Sequence, residues 1–192
     1  MRVAEFDREF VLRQAMLAFM QFGYAKTSMQ KLTQVTLLHP GSLYAAFGNK
    51  KGIFLAAIEQ YQTDRNEQFT ALFCPTQPVL PNLRCYIDSI VSECITGDAM
   101  KVCLLTKSIS EVEGQDAQIN EVLSANLNAY ENALTQQFSR AKSQNEIQNV
   151  RSAQQLARFF AMSLYGLRTY ALTNRDADAL ALLADDIFNA IK

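Results

Sequence analysis

The 192-residue sequence predicts an all-α chain, a small three-helix head followed by a larger helical body. Apolar residues recur at three- and four-residue intervals from Phe10 to Phe188, the spacing of helical faces, and nothing suggests strands. Residues 27–47 read as two short helices joined by a turn of about three residues, the length of a helix-turn-helix. Pro75, Pro78 and Pro81 then forbid a continuous helix and close the fourth helical segment.

The first helix is predicted over residues 5–22. Phe10, Leu12, Ala15, Met16, Phe19 and Met20 give it an apolar stripe, and Gly23 suits the left-handed position that ends it. Thr27 can cap a second helix beginning at Ser28, with Gln30 as reciprocal partner, and Met29, Leu32 and Val35 fall at helical spacing. Pro40 fits the first position of a third helix, because its missing N–H would be unpaired there anyway. Along that helix Leu43 and Phe47 form an apolar i,i+4 pair, whereas Gly41, Ser42 and Tyr44 are small or carry hydroxyls. A short helix with such a start can bring its N–H groups and positive dipole end against a phosphate backbone.

Asn49 can cap a fourth helix running towards Phe73 through Ile53, Phe54, Ala57, Ile58 and Tyr61, a mechanical connection from head to body. Further helices are predicted over residues 82–96, 101–113, 116–141, 152–173 and 176–191. The segment 152–173 is apolar around much of its circumference, and Ala161, Ser163 and Gly166 allow close approach. A second copy paired through residues 152–191 would cover it, with Leu164 and Leu167 as test positions.

Residues 1–54 hold seven basic and three acidic groups, a balance of +4, and the remainder holds eleven basic and sixteen acidic groups, a balance of −5. A basic head on an acidic body suits a chain that presents one end to phosphates. No stretch approaches the roughly 18 apolar residues of a membrane span, and the first residues are charged, so the expectation is a soluble cytoplasmic protein without membrane contact. Cys74, Cys85, Cys94 and Cys103 show no close pairing and share the chain with a single histidine. Free thiols are therefore expected, with no metal site and no cofactor. An enzyme finds little support: there is no glycine-rich phosphate loop, and His39 lies in a turn rather than beside a nucleophile. A helical interaction or assembly module would explain the apolar C-terminal pair and leave the basic head unexplained.

Three blocks together resemble the N-terminal domain of the tetracycline-repressor (TetR) family of transcriptional regulators. They are Val11 to Tyr24, Thr27 to Leu32, and Pro40-Gly-Ser-Leu-Tyr44 with Phe47, Asn49 and Lys50. Leu37 stands where the family usually has Gly, and His39 where a Ser or Thr cap is usual. The resemblance implies a DNA-binding domain over residues 1–50 and a helical ligand-binding and dimerisation domain over residues 51–192. It also implies a ligand-responsive regulator, by family default a repressor, that binds palindromic double-stranded operator DNA as a homodimer and is released by an effector. The expected DNA-binding residues are Thr27, Ser28, Lys31, His39, Gly41, Ser42, Tyr44 and Lys50.

Tyr86, Tyr130, Phe159 and Tyr165 are candidates to line the effector site, with plain core packing as the alternative. Lys101-Val-Cys-Leu-Leu-Thr-Lys107 also resembles a Cys-Leu element of one group of these regulators, some of which respond to electrophiles or oxidants. Cys103 is thus either a sensing thiol or core filling. Arg158 and Arg168 lie among apolar residues, where a buried guanidinium would need a carboxylate of the protein or of a ligand.

Overall fold

The structure, a computed structural model, describes residues 6–96, 104–112 and 116–192. Among these residues helices are the only regular elements. Its elements are α1 (Arg8–Phe22), α2 (Met29–Thr36), α3 (Pro40–Phe47), α4 (Lys50–Leu72), α5 (Val79–Ile95), α6 (Leu104–Val112), α7 (Ala117–Ser143), α8 (Ala153–Tyr170) and α9 (Ala177–Asn189).

Local chemistry sets most of the boundaries. Asp7, Ser28, His39 and Asp176 each accept a backbone N–H from the first turn of the helix that follows, and Ser152 with Gln155 forms a reciprocal capping box. Asn49 Oδ1 accepts from Gly52 N at 2.9 Å, as expected for the start of α4. α5 begins three residues earlier than the proline run predicts. Pro81 lies within its first turn, where no N–H is needed, and the Glu146 carboxylate accepts from Val79 N at 3.0 Å and Leu80 N at 2.7 Å.

Two compact units divide the chain: residues 1–66 with 102–126, and residues 67–101 with 127–192. These divisions do not follow the expected boundary at residue 50, because α4 and α7 each contribute to both units. In the first unit α1 packs on α2 and α6, and α2 on α3. Its centre is aromatic, with the Phe19 and Phe54 rings edge to face at 4.7 Å, Tyr24 at 4.6 Å from Phe54, and Leu32, Leu43 and Ile53 buried around them. Phe10, expected on the inner stripe of α1, is 44% exposed, because Val11 and Ala18 turn inward with Leu12, Ala15 and Phe19. Gly23 ends α1 at φ +83° and ψ 164°, outside the left-handed helical region expected for it and in an extended region of positive φ that only glycine enters readily.

In the second unit α5 packs against α8 and α9 over a core that includes Leu83, Ile87, Ile90, Phe138, Phe160, Leu164 and Leu180. Leu164 and Leu167, chosen from sequence as interface positions, belong to this core and are 0% and 3% exposed. α8 is apolar on several sides, and only tertiary packing decides which of them turns inward.

Candidate functional site

The head presents α2, the turn 37–39 and the start of α3 as one surface. Gly41, Tyr44 and Ala45 are exposed on α3 and Ser42 is half-buried, while Leu43 and Phe47 anchor the opposite face in the core. Pro40 occupies the first helical turn and His39 caps it, its Nδ1 accepting from Gly41 N at 3.3 Å. The histidine therefore does what a Ser or Thr cap would do. Leu37 holds φ +58° as the C-cap of α2 and is 81% exposed, so the turn takes the left-handed conformation that a glycine would adopt without steric cost. Small residues at the start of α3 leave its backbone N–H groups open to close approach by a phosphate.

Two residues expected at this surface are placed differently. Thr27 is fully buried, and its Oγ1 donates to the Gly23 carbonyl at 2.6 Å; Ser28 is the cap, accepting from Lys31 N at 3.1 Å. Both are small hydroxyl residues suited to the cap, and burial against the end of α1 selects the second. Lys50 Nζ donates to the Tyr24 carbonyl at 3.1 Å and the Ala25 carbonyl at 3.4 Å, and lies 4.5 Å from the centre of the Tyr24 ring. Its charge holds the turn between α1 and α2. Lys31 Nζ lies 4.5 Å from the centre of the Phe22 ring. Lys26, Gln30 and Gln34 are exposed in this part of the head. Sequence reasoning did not single out these three as contacts, although Lys26 stands beside Thr27 in the motif.

A second set of contacts ties the head to the rest of the first unit. Glu111 Oε2 on α6 accepts from Ala25 N at 3.4 Å, and a Cβ added at Gly23 would stand 2.2 Å from Glu111 Oε1. Lys51 Nζ pairs with Asp116 at 2.8 Å, which holds that carboxyl below its usual range, and Asp116 Oδ1 accepts from Gln118 N and Ile119 N at the start of α7. Arg13 makes a two-bond pair with Asp64 of α4, at 3.0 and 2.9 Å, and its guanidinium holds the Asp64 carboxyl low.

In the second unit the structure brings three of the expected effector residues together. Tyr130 OH donates to Tyr86 OH at 3.1 Å, and the Tyr130 ring lies 6.3 Å from Tyr165 and 6.4 Å from Phe69. Burial is the main cause that pushes the Tyr130 phenol well above its ordinary value, with the neighbouring Tyr86 next. Phe159 is not part of this group. Its half-buried ring lies 5.1 Å from the Arg151 guanidinium, and Phe160 is the residue beside Tyr86, at 6.4 Å. Cys103 lies outside the described residues.

The two conspicuous arginines have protein partners. Arg158 is largely exposed and pairs with Glu131 at 2.8 Å, and Arg168, 11% exposed, pairs with Glu93 at 3.0 Å.

The outer faces of α8 and α9 form an open apolar groove of about 550 Å³, lined by Ser163, Gly166, Leu167, Tyr170, Ala179, Leu182, Leu183 and Ile187. Met162, Tyr170 and Leu182 are 64%, 40% and 66% exposed, a density of apolar surface that isolated chains rarely leave uncovered.

Residues 11–57 match the family model described as bacterial regulatory proteins, tetR family, and residues 79–187 match the tetracyclin repressor-like C-terminal domain. The HTH-type transcriptional repressor ComR of Escherichia coli (strain K12) is 27% identical over 181 residues, which cover 93% of this chain and 86% of that protein. A TetR-family transcriptional regulator from Agrobacterium tumefaciens shares the fold with a TM-score of 0.85 at 20% identity over 96% of each chain. So does the TetR-family regulator CifR, a cysteine mutant solved with 26-bp double-strand operator DNA. Its TM-score is 0.83 at 23% identity, over 98% of this chain and 99% of that one.

Proposed function

Since the chain belongs to the tetR family of bacterial regulatory proteins and is a transcriptional regulator, we propose that it is a dimeric repressor of palindromic operator DNA, released by an effector bound in its second unit. The observation that carries this reading is the surface at the start of α3. An exposed helix start with Gly41, Ser42 and Tyr44, capped by His39 and braced from behind by Leu43 and Phe47, can enter a groove without moving the head core. Backbone N–H groups of α2 and α3, with Ser28 and Lys26, contact phosphate, and Tyr44 sets the depth of the helix.

A single short helix reads few base pairs, so specificity requires a second head. The apolar faces of α8 and α9 supply the pairing surface: a second copy related by a two-fold axis covers Met162, Tyr170 and Leu182 with the same residues of its own. The effector occupies the neighbourhood of Tyr86, Tyr130 and Tyr165, where hydroxyls and ring faces meet. Binding there lowers DNA affinity by the same factor by which DNA lowers effector affinity. The chain acts by binding rather than catalysis and works in the cytoplasm, where its DNA target is.

The reading is tested by fluorescence anisotropy on operator DNA selected with the wild-type protein, comparing wild type with Tyr44→Ala and Ser42→Ala. Each substitution removes an outward group and leaves the core of the head intact, so affinity falls by about tenfold or more, in line with about 1–3 kcal/mol per groove contact. Unchanged affinity for both folded variants would contradict it.

A further inference from the structure

Gln137 and Arg140 stand one turn apart on α7, in the second unit. Arg140 Nε and Nη2 are both buried and meet no acceptor among the described residues, and Gln137 Oε1 is likewise buried and meets no donor among them. These two arginine nitrogens form the side-on edge of the guanidinium, the pair of parallel N–H donors that matches the two oxygens of a carboxylate. A buried cation whose donors are left unmet is costly, by far more than an unmet amide, so this edge is shaped for an oxyanion. Arg158 and Arg168 differ from it in having protein carboxylates as partners.

The surroundings connect this edge to the tyrosine group. Gln137 lies two helical turns beyond Tyr130, on the same flank of α7. Phe69, which faces Tyr130, also stacks on Phe73 at 4.5 Å, next in the chain to Cys74. Arg140 lies within electrostatic reach of the Cys74 thiol, which is held below its usual range first by hydrogen bonds from Thr76 and then by this guanidinium. Tyr130 and Gln137 thus share one flank of α7, with Arg140 a turn further on, and Phe69 of α4 and Tyr86 of α5 meet Tyr130.

We infer that the effector is a carboxylate, held side-on by Arg140 Nε and Nη2, with a hydroxyl next to the carboxyl donating to Gln137 Oε1 and its apolar or aromatic remainder against Phe69, Tyr86 and Tyr130. This rests on the reading of the second unit as an effector site. A carboxylate offers two acceptors to the fork, and the adjacent hydroxyl supplies the donor that Gln137 lacks. A neutral alcohol or amide of the same shape leaves the guanidinium unpaired and gains nothing from it.

The test is calorimetric titration of the full-length protein with benzoate, 2-hydroxybenzoate, 2-hydroxybenzyl alcohol and inorganic phosphate, while operator binding of the same preparation is followed by anisotropy. The expected order places 2-hydroxybenzoate first, benzoate next and the neutral alcohol at least tenfold weaker. Arg140→Lys keeps the charge but loses the two-donor edge, and should cut carboxylate affinity tenfold or more with no change for the alcohol. Gln137→Leu should abolish the preference for the hydroxylated acid over benzoate. The inference is overturned if neither acid binds, if acid and alcohol bind alike, if phosphate alone binds, or if Arg140→Lys leaves the carboxylate preference intact. Operator binding retained in any of these cases means that the regulator reading stands and the carboxylate assignment fails. Loss of operator binding by the wild type would instead overturn the regulator reading.

Discussion

Lys50 Nζ reaches back from the first turn of α4 to the Tyr24 carbonyl, 3.1 Å away, and lies 4.5 Å from the centre of the Tyr24 ring. A lysine that faces its own backbone fixes the turn between α1 and α2 rather than neutralising a phosphate. Lys50→Met is therefore predicted to weaken operator binding through misplacement of α2 while leaving the slope of log K against log salt unchanged. Lys26→Ala, removing an exposed charge, is predicted to reduce that slope by about 0.9. Anisotropy titrations across a salt series check both, and a slope reduced by about one for Lys50→Met would return Lys50 to the phosphate backbone.

Gly23 carries a second constraint on the same turn. Its φ of +83° disfavours any L side chain, and a methyl there would meet the Glu111 carboxylate. Gly23→Ala is predicted to destabilise the protein by about 1–3 kcal/mol through the backbone alone. If the carboxylate contact adds to this, Gly23→Ala in a Glu111→Ala background costs measurably less. Urea denaturation of the four proteins of this cycle measures the difference, and equal losses in the two backgrounds would assign the whole cost to φ.

Leu37 takes φ +58° with four-fifths of its surface exposed, so its side chain returns little packing for its backbone conformation. Leu37→Asn is predicted to raise stability by roughly 0.5–1 kcal/mol, since Asn tolerates this conformation, and Leu37→Val to lower it by about 1 kcal/mol. Denaturation midpoints that fall for Asn as much as for Val would show that the leucine side chain supports the turn.

Leu182 projects from α9 at 66% exposure and lines the same groove as Tyr170 of α8. Leu182→Glu is predicted to dissociate the dimer without unfolding the subunit, because the position lies outside the subunit core. Leu164→Glu is predicted to unfold it. Sedimentation velocity with circular dichroism separates the two outcomes. A Leu182→Glu protein that remains dimeric at micromolar concentration would place the interface elsewhere.

These residues also show which features are legible in a sequence. Asn49, Ser152 and Asp176 mark their helix starts through bonds made within three residues, and Pro40 marks its own through a fixed φ and a missing N–H, and so they are readable without knowing the fold. Thr27 and Ser28 are equally good caps locally, and only burial of Thr27 against the end of α1 separates them. The direction of the Lys50 charge depends on a carbonyl 26 residues away. In α8, Leu164 and Met162 look alike as sequence, yet one is buried by α5 and α9 and the other faces outward. Arg140 sits beside Ser139 and Lys142 at a polar helix end and its burial has no local signature, whereas Arg158 and Arg168 lie among apolar residues and are paired.

The central claim, that two copies of this head read one symmetric site, is tested most directly by selecting bound duplexes from a random-sequence DNA pool with the full-length protein and sequencing them. The account predicts enrichment of an inverted repeat with two equivalent half-sites, and its loss when the same selection is run with Tyr44→Ala. Enrichment of no sequence, or of a single unpaired half-site by a protein that sediments as a stable monomer, would contradict it.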